Sequence, residues 1–386
     1  MSGCEFEGNV RTDEYWQRFI NQGCTMKKLI ERTLITRRKF VESAAGFAAL
    51  SIIPGRLTGN IFKSFSNNTT FRGVRIGVIA PFSFRGMPGT AEDILGYLLQ
   101  LGMTSVELQN TAFELYAGAP AAPPRQMPAT GGQMQPATGT GQPQSTAQPS
   151  QSQPAQATAP AMAGPRTLTP EQQAIQDKYN ADLKAWRLSA PMAKFEELRK
   201  KYEDSGIFIN LVKFETVTSS MTADEIDYCF AAAKILGAKA ITTGFTDDAK
   251  AKILGPFADR HKMWVGLHNQ NQIDPESFDK MISYGEYLGL NFDIGHHVAG
   301  SEIPLIDIIE KYKDRMVSLH LTDRKKTGQS MPFGQGDTPI KQTLLDCSEK
   351  KYTFGADIDL EYAVPEGSTS LAEVARCVDF CRIALE

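Results

Sequence analysis

The chain is expected to be an α/β protein built as a single (β/α)8 TIM barrel of parallel strands, with a disordered Pro/Gln/Ala-rich insertion after the second strand. Three observations predict it. Between residues 75 and 362, eight short apolar runs alternate with helix-length amphipathic segments, the pattern of repeated β/α units. Without the insertion and the N-terminal extension, about 265 residues remain, close to the usual barrel size of about 250. Four successive runs in the second half end in polar clusters: WVGLHNQN (264–271), NFDIGHH (291–297), VSLHLTDR (317–324) and ADIDLEY (356–362). A parallel barrel assembles its active site from such strand ends, at its C-terminal face. No GxGxxG follows the first strand, which argues against a dinucleotide-binding sheet.

The strands follow in order. RIGVIAPFSF (75–84) is the first and precedes the amphipathic run AEDILGYLLQLG. SVELQN (105–110) is the second, followed by the helix start TAFELYAG. The helical pattern resumes at TPEQQAIQDKYNADLKAW and runs to KKYEDSG, with apolar residues recurring every three or four positions. GIFINLVKF (206–214) is the third strand. The next helix has Thr222 as N-cap and Glu225 three residues later, a capping-box pattern. AKAITTGF (238–245), MWVGLHNQ (263–270), LNFDIGHHV (290–298), RMVSLHLTD (315–323) and YTFGADIDLEY (352–362) are strands four to eight, each followed by a helix.

Two segments stand outside this count. Residues 1–70 are read as an N-terminal extension with an export signal. TRRKFVE (36–42) precedes the short apolar run SAAGFAALSII and the breaker Pro54-Gly55. Arg37 and Arg38 with Phe40 resemble a twin-arginine signal, which implies an exported, periplasmic protein. The run is too short for a stable membrane span, and Met26 is a plausible start. Residues 118–166, within the 71–386 barrel, are Pro, Ala, Gln, Thr, Gly and Ser with almost no apolar periodicity. They cannot bury enough surface to offset their ordering entropy. The net charge of −3 and pI near 6.1 exclude a basic surface for nucleic acid or anionic membrane. The six cysteines form no CxxC pair, and Cys377 and Cys381 are read as buried thiols on one helix face.

The strand ends carry the chemistry. Asp293 is a metal ligand or the cap of the helix that follows, and His296 completes a D-x-x-H pair with it. His320 lies one β/α unit later, and imidazole is a common ligand for manganese and zinc. Asp323 orients it, contacts substrate or caps a loop. Asp357, Asp359 and Glu361 alternate, which puts them on one strand face. Three carboxylates there need a cation or hydrogen-bond donors. Glu361, nearest the mouth, is taken as ligand and base, with Asp359 behind it. His268, ahead of Asn269 and Gln270, completes the metal shell or binds a substrate hydroxyl. Glu107 and Lys213 face inward and bind substrate or form a buried pair. The GQGD loop (334–337) is a weak phosphate signal.

These motifs resemble the sugar phosphate isomerase/epimerase family with the xylose isomerase-like barrel. The D-x-G-H run at 293–296, LHLTD at 319–323, G-x-G at 334–336 and the acidic eighth strand carry the resemblance. It implies one divalent ion, manganese foremost and zinc, cobalt or magnesium otherwise, held by Asp293, His320 and Glu361, with His296 on the substrate. Relatives carry Glu-Asn-His or His-Asn-His on strand five, whereas this chain has His268-Asn269-Gln270. His268 then replaces a carboxylate ligand, and a two-glutamate epimerisation lacks one partner. The expected reaction abstracts a proton next to a carbonyl through an enediolate, with isomerase, epimerase or lyase outcome. Glu361 is the base, and His268 or Lys213 the proton partner. The substrate is a sugar or keto-sugar, contacted by His296, Glu107, Asp323, Asp359 and Gln270. No other cofactor is expected, and a homodimer is compatible with the sequence. The rivals are an exported, non-catalytic sugar-binding barrel and a metal-dependent endonuclease-like hydrolase; five histidines and an acidic pI disfavour the latter.

Overall fold

The computed structural model describes residues 69–123, 169–215, 217, 221–245, 247–269 and 275–386. The expected export signal, the insertion beyond residue 123 and Gln270 lie outside them. Eight strands make the barrel: β1 (Val74–Ala80), β2 (Ser105–Gln109), β3 (Phe208–Phe214), β4 (Ala240–Phe245), β5 (Trp264–His268), β6 (Leu288–Asp293), β7 (Met316–Leu321) and β8 (Gly355–Ile358). Each pairs in parallel with its neighbours in chain order. The β8–β1 pairing closes the ring. All eight expected strands are present.

The helices lie between them: α1 (Ala91–Leu101), α2 (Asn110–Tyr116), α3 (Pro170–Arg187), α4 (Met192–Asp204), α5 (Ala223–Ile235), α6 (Asp248–His261), α7 (Pro275–Ile282), α8 (Ile294–Gly300), α9 (Leu305–Tyr312), α10 (Ile340–Glu349) and α11 (Ser370–Leu385). Their starts follow local chemistry. Thr90 and Asp93 form a capping box on α1, Thr169 and Gln172 on α3, and Thr222 and Glu225 on α5. Among the described residues no helix is long and apolar enough to cross a membrane.

The hydrophobic core lies between strands and helices. Val106, Leu108, Val212, Val265, Leu267, Phe292, Leu319 and Ile358 belong to it. The alternate strand positions turn inward, and in this barrel many of those are polar. Glu107 of β2, Thr242 of β4 and His320 of β7 bond across the interior. Below them the Ser318 hydroxyl donates to Asp357 at 2.5 Å. Gly77 makes room for that carboxylate, because a Cβ there would lie 2.0 Å from Asp357 Oδ1.

Two strand ends differ from the expected spans, for visible reasons. The sixth strand was expected to run to residue 298, but it stops at Asp293, whose carboxylate caps α8 by accepting the His296 N–H at 2.7 Å. The eighth was expected to run through residue 362, but its paired part ends at Ile358. Past that point Ser83 takes over: its hydroxyl donates to Ile358 O at 3.3 Å and accepts from Leu360 N at 3.1 Å. Ala356, Ile358, Leu360 and Tyr362 pack in the core, so the two-residue alternation of side chains outlasts the strand pairing.

The segments flanking the insertion are tied together outside the barrel. Arg187 at the end of α3 donates to Glu114 of α2 through Nε at 2.7 Å and Nη2 at 3.1 Å. Asn110 and the Tyr228 hydroxyl donate to the same carboxylate at 2.7 and 3.1 Å. Lys184 of α3 pairs with Glu225 of α5 at 2.9 Å. Phe113, Trp186, Phe195, Phe214 and Tyr228 pack around this clamp, mostly edge to face.

Candidate metal centre

Four side chains meet at the C-terminal mouth, each from a different strand end. His268 closes β5, Asp293 closes β6, His320 lies on β7 and Asp359 follows β8; one ligand atom from each lies within 4.8 Å of the others. All four are buried. His268 Nε2 is 3.1 Å from His320 Nδ1, which is 3.3 Å from Asp359 Oδ2. Donor atoms bound to one ion at about 2.0–2.1 Å stand about 3.0–3.4 Å apart along a coordination edge. These spacings therefore fit a shared ion.

The surrounding bonds orient the four residues. The His320 Nε2 edge faces Glu107 Oε2 at 2.6 Å, which leaves Nδ1 for the centre. Thr242 bonds the other oxygen of Glu107. A carboxylate behind a ligating imidazole fixes its tautomer and raises its basicity. Asp293 Oδ1 accepts from His296 N and from the Thr322 hydroxyl at 2.6 Å. Asn269 clamps the Asp293 backbone, accepting its N–H at 2.7 Å and donating to its carbonyl at 3.0 Å. Gly295 lets α8 approach Thr322, since a Cβ there would lie 2.2 Å from the threonine hydroxyl. After all these bonds, Asp293 Oδ2 and Asp359 Oδ1 remain buried with no partner. A buried anionic oxygen without a donor is costly, and a divalent cation would satisfy both. Two imidazoles and two carboxylates suit manganese, zinc or cobalt.

The charges agree with this. Burial opposes a proton on His320, yet the charge of Glu107 and the bonds to Asp359 and Glu107 push its pKa well above the ordinary imidazole value. Burial would raise Glu107, but His320, Lys213 and Thr242 overcome it and hold the carboxyl down to about 2. Burial and the charge of Lys213 keep His268 well below the usual imidazole range. It offers a lone pair, the form that binds metal.

A second group shares Asp293. With His296 and Glu361 it forms another set able to hold a cation. Glu361 Oε1 is 3.4 Å from His296 Nε2, and its other oxygen bonds Arg324. Burial would raise Glu361, yet His296 and Arg324 bring it down to about 2. His296 is raised in turn: burial opposes, and Glu361 and Asp293 outweigh it.

Several expected roles change. Glu361, expected as the fourth ligand, falls instead in the second set with Asp293 and His296 and bonds Arg324, while Asp359 falls in the four-residue set. Asp357, expected on the same face, lies deeper on Ser318; burial and the charge of Glu107 push it up to about 6. Asp323, expected at substrate, at His320 or as a loop cap, takes the last of these: it accepts the N–H groups of Gly334, Gln335, Gly336 and Thr338 at 2.8–3.2 Å. It caps the GQGD loop and leaves that loop no free N–H nest for phosphate. Glu107, expected at substrate or in a buried pair, is fully buried and pairs with His320. Lys213, a candidate proton partner, keeps its proton: burial works against it, but Glu107, Glu215, Asp359 and Asp293 raise its pKa. His268, the other candidate, is kept from taking a positive charge by burial and Lys213. Asn269, Thr322, Thr242 and Arg324 had no role in the sequence reading. The adjacency of Asn269 to His268, and of Arg324 to Asp323, was the signal available.

No family model matches the chain, and no curated protein matches it in sequence. Among solved structures it is similar to a xylose isomerase domain protein from Planctomyces limnophilus, at 13% identity over 82% of this chain and 98% of that one, TM-score 0.47. It is also similar to a sugar phosphate isomerase/epimerase from Parabacteroides distasonis, at 13% identity over 81% and 95%, TM-score 0.47. D-psicose 3-epimerase from Clostridium cellulolyticum H10, solved with D-tagatose, is 10% identical over 81% and 99%, TM-score 0.48. Likenesses of this order say nothing of activity. The closed eight-strand ring stands on its own pairing.

Proposed function

We propose that this protein is a divalent-metal-dependent sugar isomerase- or epimerase-like enzyme that moves a proton next to a carbonyl. The observation that carries the reading is the meeting of His268, Asp293, His320 and Asp359 around two buried carboxylate oxygens that lack partners. These four would hold the ion, with Glu107 orienting His320. When bound, the ion supplies Lewis acidity to a carbonyl oxygen. Glu361 and His296 sit beside it as an ionised carboxylate and a raised imidazole, the two states needed to accept one proton and return another. Lys213 stays charged and stabilises negative charge on the substrate. The substrate class is a sugar or keto-sugar, and Arg37 and Arg38 support export to the periplasm.

The test is deuterium incorporation. Metal-loaded protein is incubated with a panel of keto-sugars in deuterated water, with a chelated control. Exchange at the carbon next to the carbonyl, lost on chelation, is expected. A carboxylate held near 2 and tied to Arg324 is a weak base, which favours a second reading, a metal-holding sugar-binding barrel without turnover. Sugar binding with no exchange across the panel would establish that reading and remove the first.

A further inference from the structure

The two sets of cation-holding groups meet at Asp293, and a carboxylate shared between two donor sets is how a pair of ions is bridged. In this barrel the second set already has a positive charge beside it. Arg324 Nη2 bonds Glu361 and lies 3.4 Å from His296 Nε2. Its Nη1 donates to Gly328 O at 2.7 Å. The backbone is fixed as well: Arg324 N donates to Thr338 Oγ1 at 3.0 Å, and Arg324 pairs with Ser330 in the short hairpin of Asp323–Arg324 with Ser330–Met331. Asp323 ties the loop beyond by four backbone N–H groups. The guanidinium is therefore held at its head and at its backbone.

We propose that Arg324 is a built-in replacement for a second metal ion, which fills the Asp293–His296–Glu361 set and limits the centre to one exchangeable ion. The proposal rests on the metal-centre reading above. Geometry supports it. The guanidinium already takes the Glu361 oxygen that a second ion would need and lies against His296, and a further cation beside it in a buried site is a costly state. Arg324 also explains why Glu361, two residues from Asp359, stays off the first ion: its carboxylate is held by the guanidinium. Arg324 acts as a positioning residue for Glu361.

The experiment counts ions. Full-length protein is loaded with excess manganese and desalted. Metal per chain is measured by mass spectrometry, and electron paramagnetic resonance reports whether ions are isolated or coupled. Wild type is expected to hold one isolated ion. Arg324→Gln, which keeps most of the side chain and removes the charge, is expected to hold two coupled ions. Arg324→Lys, which restores the charge, and Arg324→Gln combined with Glu361→Gln, which removes the vacated ligand, are each expected to return to one. A wild type with no ion would overturn the metal-centre reading and this proposal with it. Two ions in wild type, one in Arg324→Gln, or two in the double variant would overturn the proposal while leaving that reading intact.

Discussion

Glu114 on the outer helices and Asp293 inside the barrel are carboxylates 3% and 0% exposed, and the protein treats them in opposite ways. Glu114 receives Arg187, Asn110 and Tyr228, which occupy both of its oxygens. Asp293 receives two donors on Oδ1, while Oδ2 has none. The outer cluster is complete as the chain folds, so its charges serve to join α2, α3 and α5 across the insertion. The inner cluster leaves a buried carboxylate oxygen open, which a cation would complete. A satisfied buried charge marks architecture; an unsatisfied one beside imidazoles marks a site.

The largest effect should come from breaking the completed cluster. Glu114→Ala leaves Arg187 buried and unpaired, and should cost about 3–5 kcal/mol in urea unfolding. Metal per folded molecule should not change; a fall in metal content would mean that the two clusters are not separate.

Asp293→Asn should do the reverse. The amide oxygen can still cap α8 and accept from Thr322, so metal-free stability should stay within about 1 kcal/mol of wild type. Metal affinity, measured by competition with a chelator, should fall by more than about 100-fold. Unchanged affinity would remove Asp293 from the ligand set.

Glu107→Gln probes the layer behind the ligands. Loss of the charge facing His320 should weaken metal binding by about 10–100-fold, the range for such orienting partners. An effect on sugar affinity with metal binding intact would return Glu107 to the substrate role.

The smallest effect belongs to Glu225, a half-satisfied outer group. Burial would raise its carboxyl, but the bonds from Thr222 and Lys184 hold it below the usual value. A depressed carboxyl stabilises the fold fully above its unfolded pKa of about 4.3. That contribution is lost as pH falls through the lower folded value. Glu225→Gln should therefore cost about 1 kcal/mol at neutral pH and nothing at low pH. A cost that persists below pH 3 would show the residue acting through packing.

Much of the fold was legible because burial writes itself into spacing. Each barrel strand has an apolar outer face and is followed by a helix with period near 3.6. Asp293, His320 and His268 stood out as polar residues closing such runs. Thr222 and Glu225 were readable three residues apart because a capping box is local. Asp359 and Glu361 were not separable in this way. Their alternation continues in the structure, and what separates them is their distant partners, His320 for Asp359 and Arg324 for Glu361. Glu107 was visible as an inward polar residue, but its partner His320 lies 213 positions along the chain. For Asp323 the neighbours left a site role and a loop cap open, and only the loop folded over it decides for the cap.

Local order and periodicity, which depend on neighbours within a few residues, were thus written in the amino acids alone: eight strands and most of the helices between them. The assignment of each buried charge waited on the closed ring. Which carboxylate meets an imidazole, which meets Arg324 and which meets only backbone depends on contacts between distant segments, and those exist only once the strands have come together.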